Sequence, residues 1–377
     1  MKTAQIQFRC LAGLAGAAAS LLLAACGPKG APGVVPVPEN ISQDAFEPLV
    51  RSIDLVPLET HGDDFLGQGT FLIPADGKYL LVDEGNRKLH LYGPDGKFLN
   101  RIGREGRGPE EYHMLFNVLY TGGRVYVYQN GSDLLVYRQD GSFEKKLNLP
   151  AEGCNAFFPL EDGYLAYIGY VGPGDDMIQW IPEGQEPVSL VPKRGPLPFP
   201  MMQQQPFTEY AGRIFMPDAM GEQVYAFADG KVETWLNLDF GRFTIGEEFF
   251  SGDVDAAFRI LETRHACIGA YWENERMRVV EAQRSEKKDN SSPFPDREIL
   301  YGLFLHGKWN WVNTGDIGAT PFAHSVSGLD GDALVCLLDP LLLKEMDPAL
   351  RAKISNPQVL DALDENSNFV VAKVHLK

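Results

Sequence analysis

The sequence predicts an all-β protein: a single six-bladed β-propeller of four-stranded antiparallel blades, with short helical insertions. Two observations lead to this prediction. The stretches that begin at Gly77 and Gly123 share one pattern: their leading glycines are 46 residues apart, and their Asp-Gly pairs, at 95 and 140, are 45 residues apart. Apolar residues also alternate between the turn signals, as they do in strands that pack on a neighbouring sheet. A period of roughly 40 to 50 residues is typical of propeller blades.

Each repeat unit is predicted to contain strand, turn, strand, hairpin and strand, because an Asp-Gly pair favours the tight turn of a hairpin. Four weaker copies follow the first two. They contain, in order, "EDGYLAYIGY", "AGRIFMPDAMGEQVYAFADGKVETWLNLDFG", "IGAYWENERMRVVEAQ" with "EILYGLFLHGKWNWVN", and "DGDALVCLLDP" with "SNFVVAKVHLK". The propeller is therefore assigned to residues 46–377, about 55 residues per blade.

The residues beyond the length of an ordinary blade repeat are assigned to insertions. "IGEEFFSGDVDAAFRILETR" has helical spacing, and "PLLLKEMDPALRAKISNPQVLDALDE" predicts one or two short helices broken near Pro357. "EKKDNSSPFPD" is a polar loop. The early strand "SIDLVPLET" is expected to be the outer strand of the last blade, which closes the ring and protects the sheet edges.

The N-terminus predicts a lipid anchor. Residues 1–25 combine the basic Lys2 and Arg9 with a short apolar stretch, and "LAAC" ends at Cys26. This resembles the bacterial lipobox, whose cysteine is lipidated; the alternative is an ordinary secretory signal with a chance cysteine. Residues 26–45 are rich in Pro and Gly and are interpreted as a flexible tether. The predicted location is the cell envelope: Gly27 rather than Asp after the cysteine favours the outer membrane, by analogy with enterobacterial sorting, and the lack of an acidic run after the anchor favours the periplasmic face.

The negative charge of the chain excludes two classes of partner. The chain has a net charge of −17, and all 51 acidic residues follow Cys26. Nucleic acid and anionic lipid surfaces are therefore excluded as natural partners.

Cys154, Cys267 and Cys336 are too few for a disulfide framework. They are interpreted as small buried apolar residues, with a bridge between one pair left open.

The glycine-rich stretch "RIGREGRGPEEY" lies directly after the predicted fourth strand of the first blade and before the first strand of the second blade. Its glycine spacing matches no phosphate-binding motif, and strand-like sequence follows it. It is interpreted as a structural corner, with Gly106 and Gly108 expected at positive φ. The alternative is a ligand-binding role for Arg104 or Arg107.

Four short motifs resemble a known family: "VPLET", "DGKFLNRIGREGRGPEEY", "NLDFG" and the final "SNFVVAKVHLK". They look like the Bacteroidetes six-bladed β-propeller lipoprotein family, which is similar to NHL-repeat propellers. The chain departs from the pattern at Ser367-Asn368, where the family often has Asn-Pro. The resemblance implies the fold and leaves the function open, because propellers support many unrelated activities.

The candidate metal ligands form two sets. No nucleophile motif or zinc-spaced Cys/His pattern occurs in the sequence. Three histidines in or just before predicted innermost strands could share a metal in the central channel, as in NHL-like lyases by analogy: His113, His265 and His324. By analogy with lactonase-type propellers, oxygen ligands near the axis could hold calcium: Asn117, Asn155, Glu209 and Glu262. In both cases the alternative is a set of unrelated polar residues.

Aromatic residues predict a binding site. Several lie at or near predicted innermost strands and could share a pocket, although most aromatic residues of a propeller pack between blades. The candidates are Phe158, Phe207, Tyr210, Tyr271 and Trp272. The irregular segment from Leu197 to Pro206 is expected to shape that face of the molecule.

The predicted function is a lipid-anchored, extracytoplasmic binding or scaffold module for a peptide, glycan or envelope protein. Catalysis is left open, with a non-catalytic role preferred, and no cofactor is expected. The alternative is a metal-dependent hydrolase or lyase, with one calcium or zinc ion in the channel. The expected partners are the membrane, through the lipid, and a ligand of one of these classes; the expected oligomeric state is a monomer.

Overall fold

The structure is a computed structural model that describes residues 33–62, 65–129, 133–149, 153–170, 174–201, 203, 205–288, 295–315, 321–322 and 325–377. The predicted signal peptide, Cys26 and His324 lie outside the described residues, as do residues 289–294 of the polar loop.

Six sheets form the six blades, and the predicted fold class is confirmed. The first two strands of the described chain are β1 (Val34–Pro36) and β2 (Val50–Pro57). Blade 1 consists of β3 (Phe71–Ala75), β4 (Lys78–Asp83), β5 (Lys88–Tyr92) and β6 (Phe98–Arg101). Blade 2 consists of β7 (Asn117–Thr121), β8 (Arg124–Tyr128), β9 (Asp133–Arg138) and β10 (Phe143–Asn148).

The third and fourth blades continue the same antiparallel order, and in each the first strand is the innermost. Blade 3 consists of β11 (Ala156–Leu160), β12 (Gly163–Tyr167), β13 (Asp176–Pro182) and β14 (Val188–Pro192). Blade 4 contains β15 (Thr208–Tyr210), β16 (Arg213–Pro217), β17 (Gln223–Ala228) and β18 (Lys231–Asp239).

The fifth and sixth blades complete the ring. Blade 5 consists of β19 (Arg264–Glu273), β20 (Arg278–Glu286), β21 (Asp296–Leu305) and β22 (Lys308–Gly315). Blade 6 takes three strands from the C-terminal part of the chain, β23 (Val326–Asp330), β24 (Ala333–Leu338) and β25 (Val370–Leu376). Its fourth, outermost strand is β2, which pairs antiparallel with β25. The predicted closure by the early strand is confirmed.

The segment predicted to be a free tether makes contacts with the propeller. Strand β1 pairs in parallel with β18 and becomes a fifth strand of blade 4. Val35, Val37 and Ile41 pack against the apolar core between blades 4 and 5. The interpretation of residues 26–45 as a flexible tether therefore does not hold for this part, whose few apolar residues pack on a strand distant in sequence.

The helical insertions are short. Within the described residues the α-helices are α1 (Val254–Thr263), α2 (Pro340–Lys344), α3 (Pro348–Arg351) and α4 (Gln358–Ala362), with 3₁₀ turns at Gln43–Ala45, Glu47–Leu49, Gly241–Phe243 and Glu247–Phe250. The second insertion thus holds three helices, where one or two were predicted. Asp339 and Asp347 each cap a helix whose first residue is a proline, which breaks this insertion earlier than Pro357. No helix in the described chain is long and apolar enough to span a membrane.

The core lies between neighbouring blades. Six apolar clusters of buried residues fill the six gaps around the ring. Strand β4 shows the reason: Leu80 and Val82 face blade 2, whereas Tyr79 and Leu81 face blade 6. Because both faces of each blade are covered by its neighbours, the alternating side chains of one strand stabilise two different interfaces.

Candidate binding cavity at one end of the channel

A cavity of about 410 Å³ occupies one end of the central channel, and all six blades contribute to its wall. Its lining residues come mainly from the C-terminal ends of the innermost strands and the turns that follow. Among them are Asp76, Tyr120, Thr121, Phe158, Gln205, Phe207, Glu209, Tyr210, Trp272, Glu273, Asn274 and Ser327. The innermost strands all run in the same direction along the channel, so that these strand ends meet at one face of the molecule.

The segment between β14 and β15 crosses the channel further from that face. Asn155, just before β11, and the backbone of Gln203 exchange two hydrogen bonds, at 2.6 and 3.2 Å. The Gln203 side-chain amide donates to the carbonyl of Gly269 on β19, at 2.8 Å. Blades 3 and 5 are thereby joined across the axis by a residue that is only 9% exposed. The prediction that this segment shapes the face with the aromatic residues holds for Gln205 and Pro206, which line the cavity, whereas Gln203 lies deeper in the channel.

Four of the five predicted aromatic residues line the cavity: Phe158, Phe207, Tyr210 and Trp272. The rings of Phe158 and Phe207 pack edge to face, with centroids 5.7 Å apart. Both are buried, whereas Tyr210 and Trp272 are half-buried. A ligand-binding role for these residues stays a prediction.

Tyr271 does not line the cavity. Neighbouring residues of a strand point to opposite faces, so Tyr271 enters the core between blades 4 and 5, whereas Trp272 packs on the side of blade 6 and lines the cavity. The Tyr271 ring packs on Phe215, with centroids 5.2 Å apart, and its hydroxyl accepts from Trp235 Nε1 at 2.9 Å. A binding role for Tyr271 stays a prediction, and its side chain lies outside this cavity.

Three carboxylates lie in the cavity wall. Glu273 forms an ion pair with Arg278, with its Oε1 atom 3.2 Å from Nε. Asp76 accepts a hydrogen bond from the Tyr120 hydroxyl, and Glu209 Oε2 accepts one from Thr121 Oγ1 at 3.0 Å. Neither Asp76 nor Glu209 forms an ion pair with a described residue.

The side chains that line the cavity give it a negative electrostatic potential. The described lining residues include no Lys, Arg or His. Burial, and secondarily the hydrogen bond to Asp76, raises the pKa of Tyr120 to about 12. Tyr120 is therefore a neutral hydroxyl donor at physiological pH, and the charge of Asp76 is not balanced by a cation.

Gln205 contributes the least satisfied polar group of the cavity. Its Nε2 atom is buried and has no hydrogen-bond partner among the described residues. An amide donor left without an acceptor costs free energy unless a water or a ligand supplies one. Sequence reasoning missed both Gln205 and Asp76, because an amide in an irregular segment and an aspartate before a glycine carry no signal beyond that of a loop.

The three candidate metal-binding histidines are not seen together. His113 is exposed, and its backbone N–H donates to Gln129 Oε1 at 2.7 Å. His265 begins β19 opposite Ser285; burial, and then the charge of Arg297, lowers its pKa. Neither residue lines the cavity, and His324 is outside the described part of the chain. Within that part no group of three or more His, Cys, Asp or Glu is arranged to hold a metal ion. The three-histidine site remains a prediction.

The candidate calcium ligands are divided between different places. Asn117 and Glu209 line the cavity, whereas Asn155 holds Gln203 deeper in the channel. Glu262 lies exposed on α1 and not on an innermost strand. The four residues therefore do not form one site.

The glycine-rich stretch forms the turn from β6 to β7, as predicted. The Tyr112 N–H donates to the Arg104 carbonyl at 3.1 Å, and the Gly106 N–H donates to the Tyr112 carbonyl at 3.0 Å. Glu111 Oε2 accepts from the Gly108 N–H at 2.8 Å, which is the main reason that its pKa is lowered; Arg104 also pairs with Glu111. Arg104 and Arg107 are exposed, away from the cavity, and their binding role stays a prediction.

The expected positive φ angles at Gly106 and Gly108 are wrong. In this turn the positive φ, of 58°, is at Gly103. A Cβ atom on Gly106 would instead lie 1.9 Å from Glu111 Oε2, so the space next to Glu111 is what requires glycine there. Substitution of Gly106 would displace the Glu111 carboxylate from the Gly108 N–H.

The three cysteines left open by the sequence are unbridged. Burial raises the pKa of Cys154, Cys267 and Cys336 to about 12 in each case. These thiols are therefore protonated at physiological pH; Cys154 and Cys336 are buried, as expected, whereas Cys267 is half-buried.

Comparison with known proteins establishes the family. Residues 32–375 match the family described as "Domain of unknown function (DUF4934)". A "Putative exported protein" of Bacteroides fragilis is similar in structure, with a TM-score of 0.67 and 17% identity, over 92% of this chain and 100% of that one. A DUF4221 family member of Bacteroides vulgatus has a TM-score of 0.51 and 13% identity, over 87% and 97% of the two chains.

Identities this low establish a common fold and no shared activity. No curated protein matches the sequence. The family match covers most of the chain and the whole ring of blades. The chain belongs to the DUF4934 family.

Proposed function

We propose that the protein is a lipid-anchored, extracytoplasmic propeller that binds a ligand in the channel cavity, without catalysis. The cavity between the six blades is the observation that carries this proposal. Its volume lies in the range of roughly 300–1,000 Å³ that is common for ligand sites. Its half-buried aromatic rings and the unpartnered Gln205 amide are the kinds of group that bind and orient a ligand.

The proposed location rests on the sequence. Residues 1–25 and Cys26 resemble a lipoprotein signal and its lipidated cysteine. The name of the B. fragilis relative, which refers to export, agrees with this placement. We propose the outer membrane, facing the periplasm, and a monomer that does not bind nucleic acid. The variant Cys26→Ala should leave the membrane fraction with its propeller folded; its retention after a high-salt wash would contradict the anchor.

Ligand binding can be tested before the ligand is known. The purified full-length protein in detergent would be screened by ligand-observed NMR against a tripeptide library and an oligosaccharide library. We expect at least one binder whose signal is lost in Trp272→Ala and kept in the matched control His113→Ala, which changes an exposed residue outside the cavity. A screen without binders, or binders that are indifferent to Trp272→Ala, would contradict the proposal.

The metal-dependent alternative has a separate test. We expect no stoichiometric metal in the purified protein, and no rise of the melting temperature when zinc or calcium is added. A metal that bound only the folded state would raise its stability with concentration. About one metal ion per chain, lost in His113→Ala or His324→Ala, would favour a hydrolase or lyase at the axis.

A further inference from the structure

The cavity offers its ligand an unusual combination of hydrogen-bonding groups. Asp76 and Glu209 present carboxylate oxygens that no cation among the described residues neutralises. Gln205 presents a buried donor without an acceptor. Tyr210 and Trp272 present partly exposed aromatic rings. A ligand must therefore donate, accept and cover flat apolar surface at the same time.

Anionic ligands fit poorly. The described lining has no basic side chain, and the Arg278 guanidinium near the cavity is already paired with Glu273. An acidic ligand would bring its charge next to Asp76 and Glu209 in a concave site, in a protein whose net charge is −17. Like charges in such a site repel, and the ligand would also lose hydration without gaining a counter-charge.

A ligand group that carries only positive charge satisfies the carboxylates of the cavity but not its amide donor. Ammonium and guanidinium groups donate hydrogen bonds and accept none. They could satisfy Asp76 and Glu209 but would leave Gln205 Nε2 without a partner. A buried donor left unpaired in the complex lowers affinity.

We infer that the cavity binds a neutral saccharide unit. This inference rests on the proposed binding function. Each sugar hydroxyl both donates and accepts, so separate hydroxyls can donate to Asp76 and to Glu209, on opposite sides of β7, while a third accepts from the Gln205 amide once that side chain rotates toward the cavity. The apolar C–H face of a sugar ring can lie against Trp272 or Tyr210. A volume of about 410 Å³ limits the occupant to a short saccharide, such as the terminal part of a glycan.

The test is an array of neutral and acidic oligosaccharides, followed by calorimetric titration of the full-length protein with the best neutral binder. We expect binding to be restricted to neutral saccharides and to be insensitive to salt, because no ion pair forms. Trp272→Ala and Glu209→Gln should each weaken binding by about tenfold or more, and Gln205→Ala by several-fold. Glu233→Gln, on the outer strand of the same blade as Glu209, is the matched control and should bind normally.

Three outcomes would overturn the inference: preference for acidic saccharides, absence of saccharide binding, or saccharide binding that survives both Trp272→Ala and Glu209→Gln. A tri-lysine peptide serves as the competing probe. If tri-lysine binds in a salt-sensitive manner, is lost in Trp272→Ala and no saccharide binds, the binding function stands and the saccharide inference fails. Equal thermal unfolding of each variant and the parent protein shows that a lost signal reflects the cavity and not the fold.

Discussion

Two strands from the N-terminal region join two different blades, and they have very different roles. Strand β2 pairs antiparallel with β25 along its whole length and supplies the fourth strand of blade 6. Strand β1 pairs in parallel with β18 over three residues and adds to a blade that already has four strands. The ring therefore cannot be complete without β2, whereas β1 covers an edge.

The burial of the two strands follows the same division. Ile53 and Leu55 of β2 are 0% and 2% exposed in the core between blades 5 and 6. Val34 of β1 is 58% exposed, and Val35 is half-buried. The comparison shows that a parallel edge strand of three residues can be placed by a few side chains, while ring closure depends on a full apolar face.

Both outer edges are nevertheless protected. Beyond β2, the Ile53 N–H donates to the Lys353 carbonyl and the Ser355 N–H donates to the Ile53 carbonyl, each at 2.9 Å. The insertion that contains α2, α3 and α4 thus covers the edge of blade 6, as β1 covers the edge of blade 4. Unpaired backbone groups on exposed sheet edges favour aggregation, which gives both covers a common benefit.

The largest effect is expected for Ile53→Asp. The change places an unpaired carboxylate in the core where the ring closes, and we expect a loss of about 4 kcal/mol or more in the free energy of unfolding. Chemical denaturation would measure it. The matched change in the other strand, Val35→Asp, should cost only about 1 kcal/mol; equal losses would contradict the division of roles.

Arg284 is the expected determinant of β1 docking. This residue is 7% exposed; it donates to the carbonyls of Pro38 and Glu39, at 3.1 and 2.8 Å, and pairs with Glu298. Arg284→Met should destabilise the protein by about 2 kcal/mol and should increase hydrogen exchange at β1. Arg264→Met, at a more exposed ion pair of the same blade, is the control. Unchanged exchange at β1 would show that other contacts hold the strand.

A smaller loss of folding stability is expected at low pH, where the carboxylates next to the closing strand β2 become protonated. His375 lies between two carboxylates, with Nε2 3.0 Å from Asp54 and Nδ1 2.9 Å from Asp332. The hydrogen bond from His375, and then that from Arg51, lowers the pKa of Asp332 to about 2. A lowered pKa in the folded state means that the unfolded state takes up protons first, so this stabilisation is complete above about pH 4 and is lost between pH 4 and pH 2.

Denaturation midpoints between pH 5 and pH 2.5 would show this loss. Asp332→Asn should be less stable at pH 5 and should lose less on acidification than the parent protein. Parallel pH curves for the two proteins would mean that the His375 cluster does not contribute to ring closure.

The smallest effect is expected at the surface of β1. Arg242 pairs with Glu39, at 2.6 Å, and both side chains are substantially exposed. Glu39→Gln should change the free energy of unfolding by less than about 1 kcal/mol, and the difference should disappear in high salt. A larger effect, or one that persists in high salt, would indicate that the ion pair positions β1.

The sequence by itself determined the blades and their closure. Alternating apolar residues and Asp-Gly turns act within a few residues, so each hairpin is specified locally, and the strand around Ile53 has the full alternating pattern of a blade strand. The positions of Phe158, Phe207, Tyr210 and Trp272 at or next to innermost strands followed from the same pattern. The turn containing Gly106 was also predicted, although the reason for its glycines was not.

Only the tertiary structure decided which side chains meet. Tyr271 and Trp272 are adjacent in sequence, and the pairing of β19 with its neighbours decides which of them faces the channel. His113 comes before β7 and does not line the cavity, whereas Glu209 lies within β15 and does. Gln203 and β1 occupy their places through partners far away in sequence. A local pattern specifies a strand, whereas its register and its neighbours depend on contacts that form only when the ring closes.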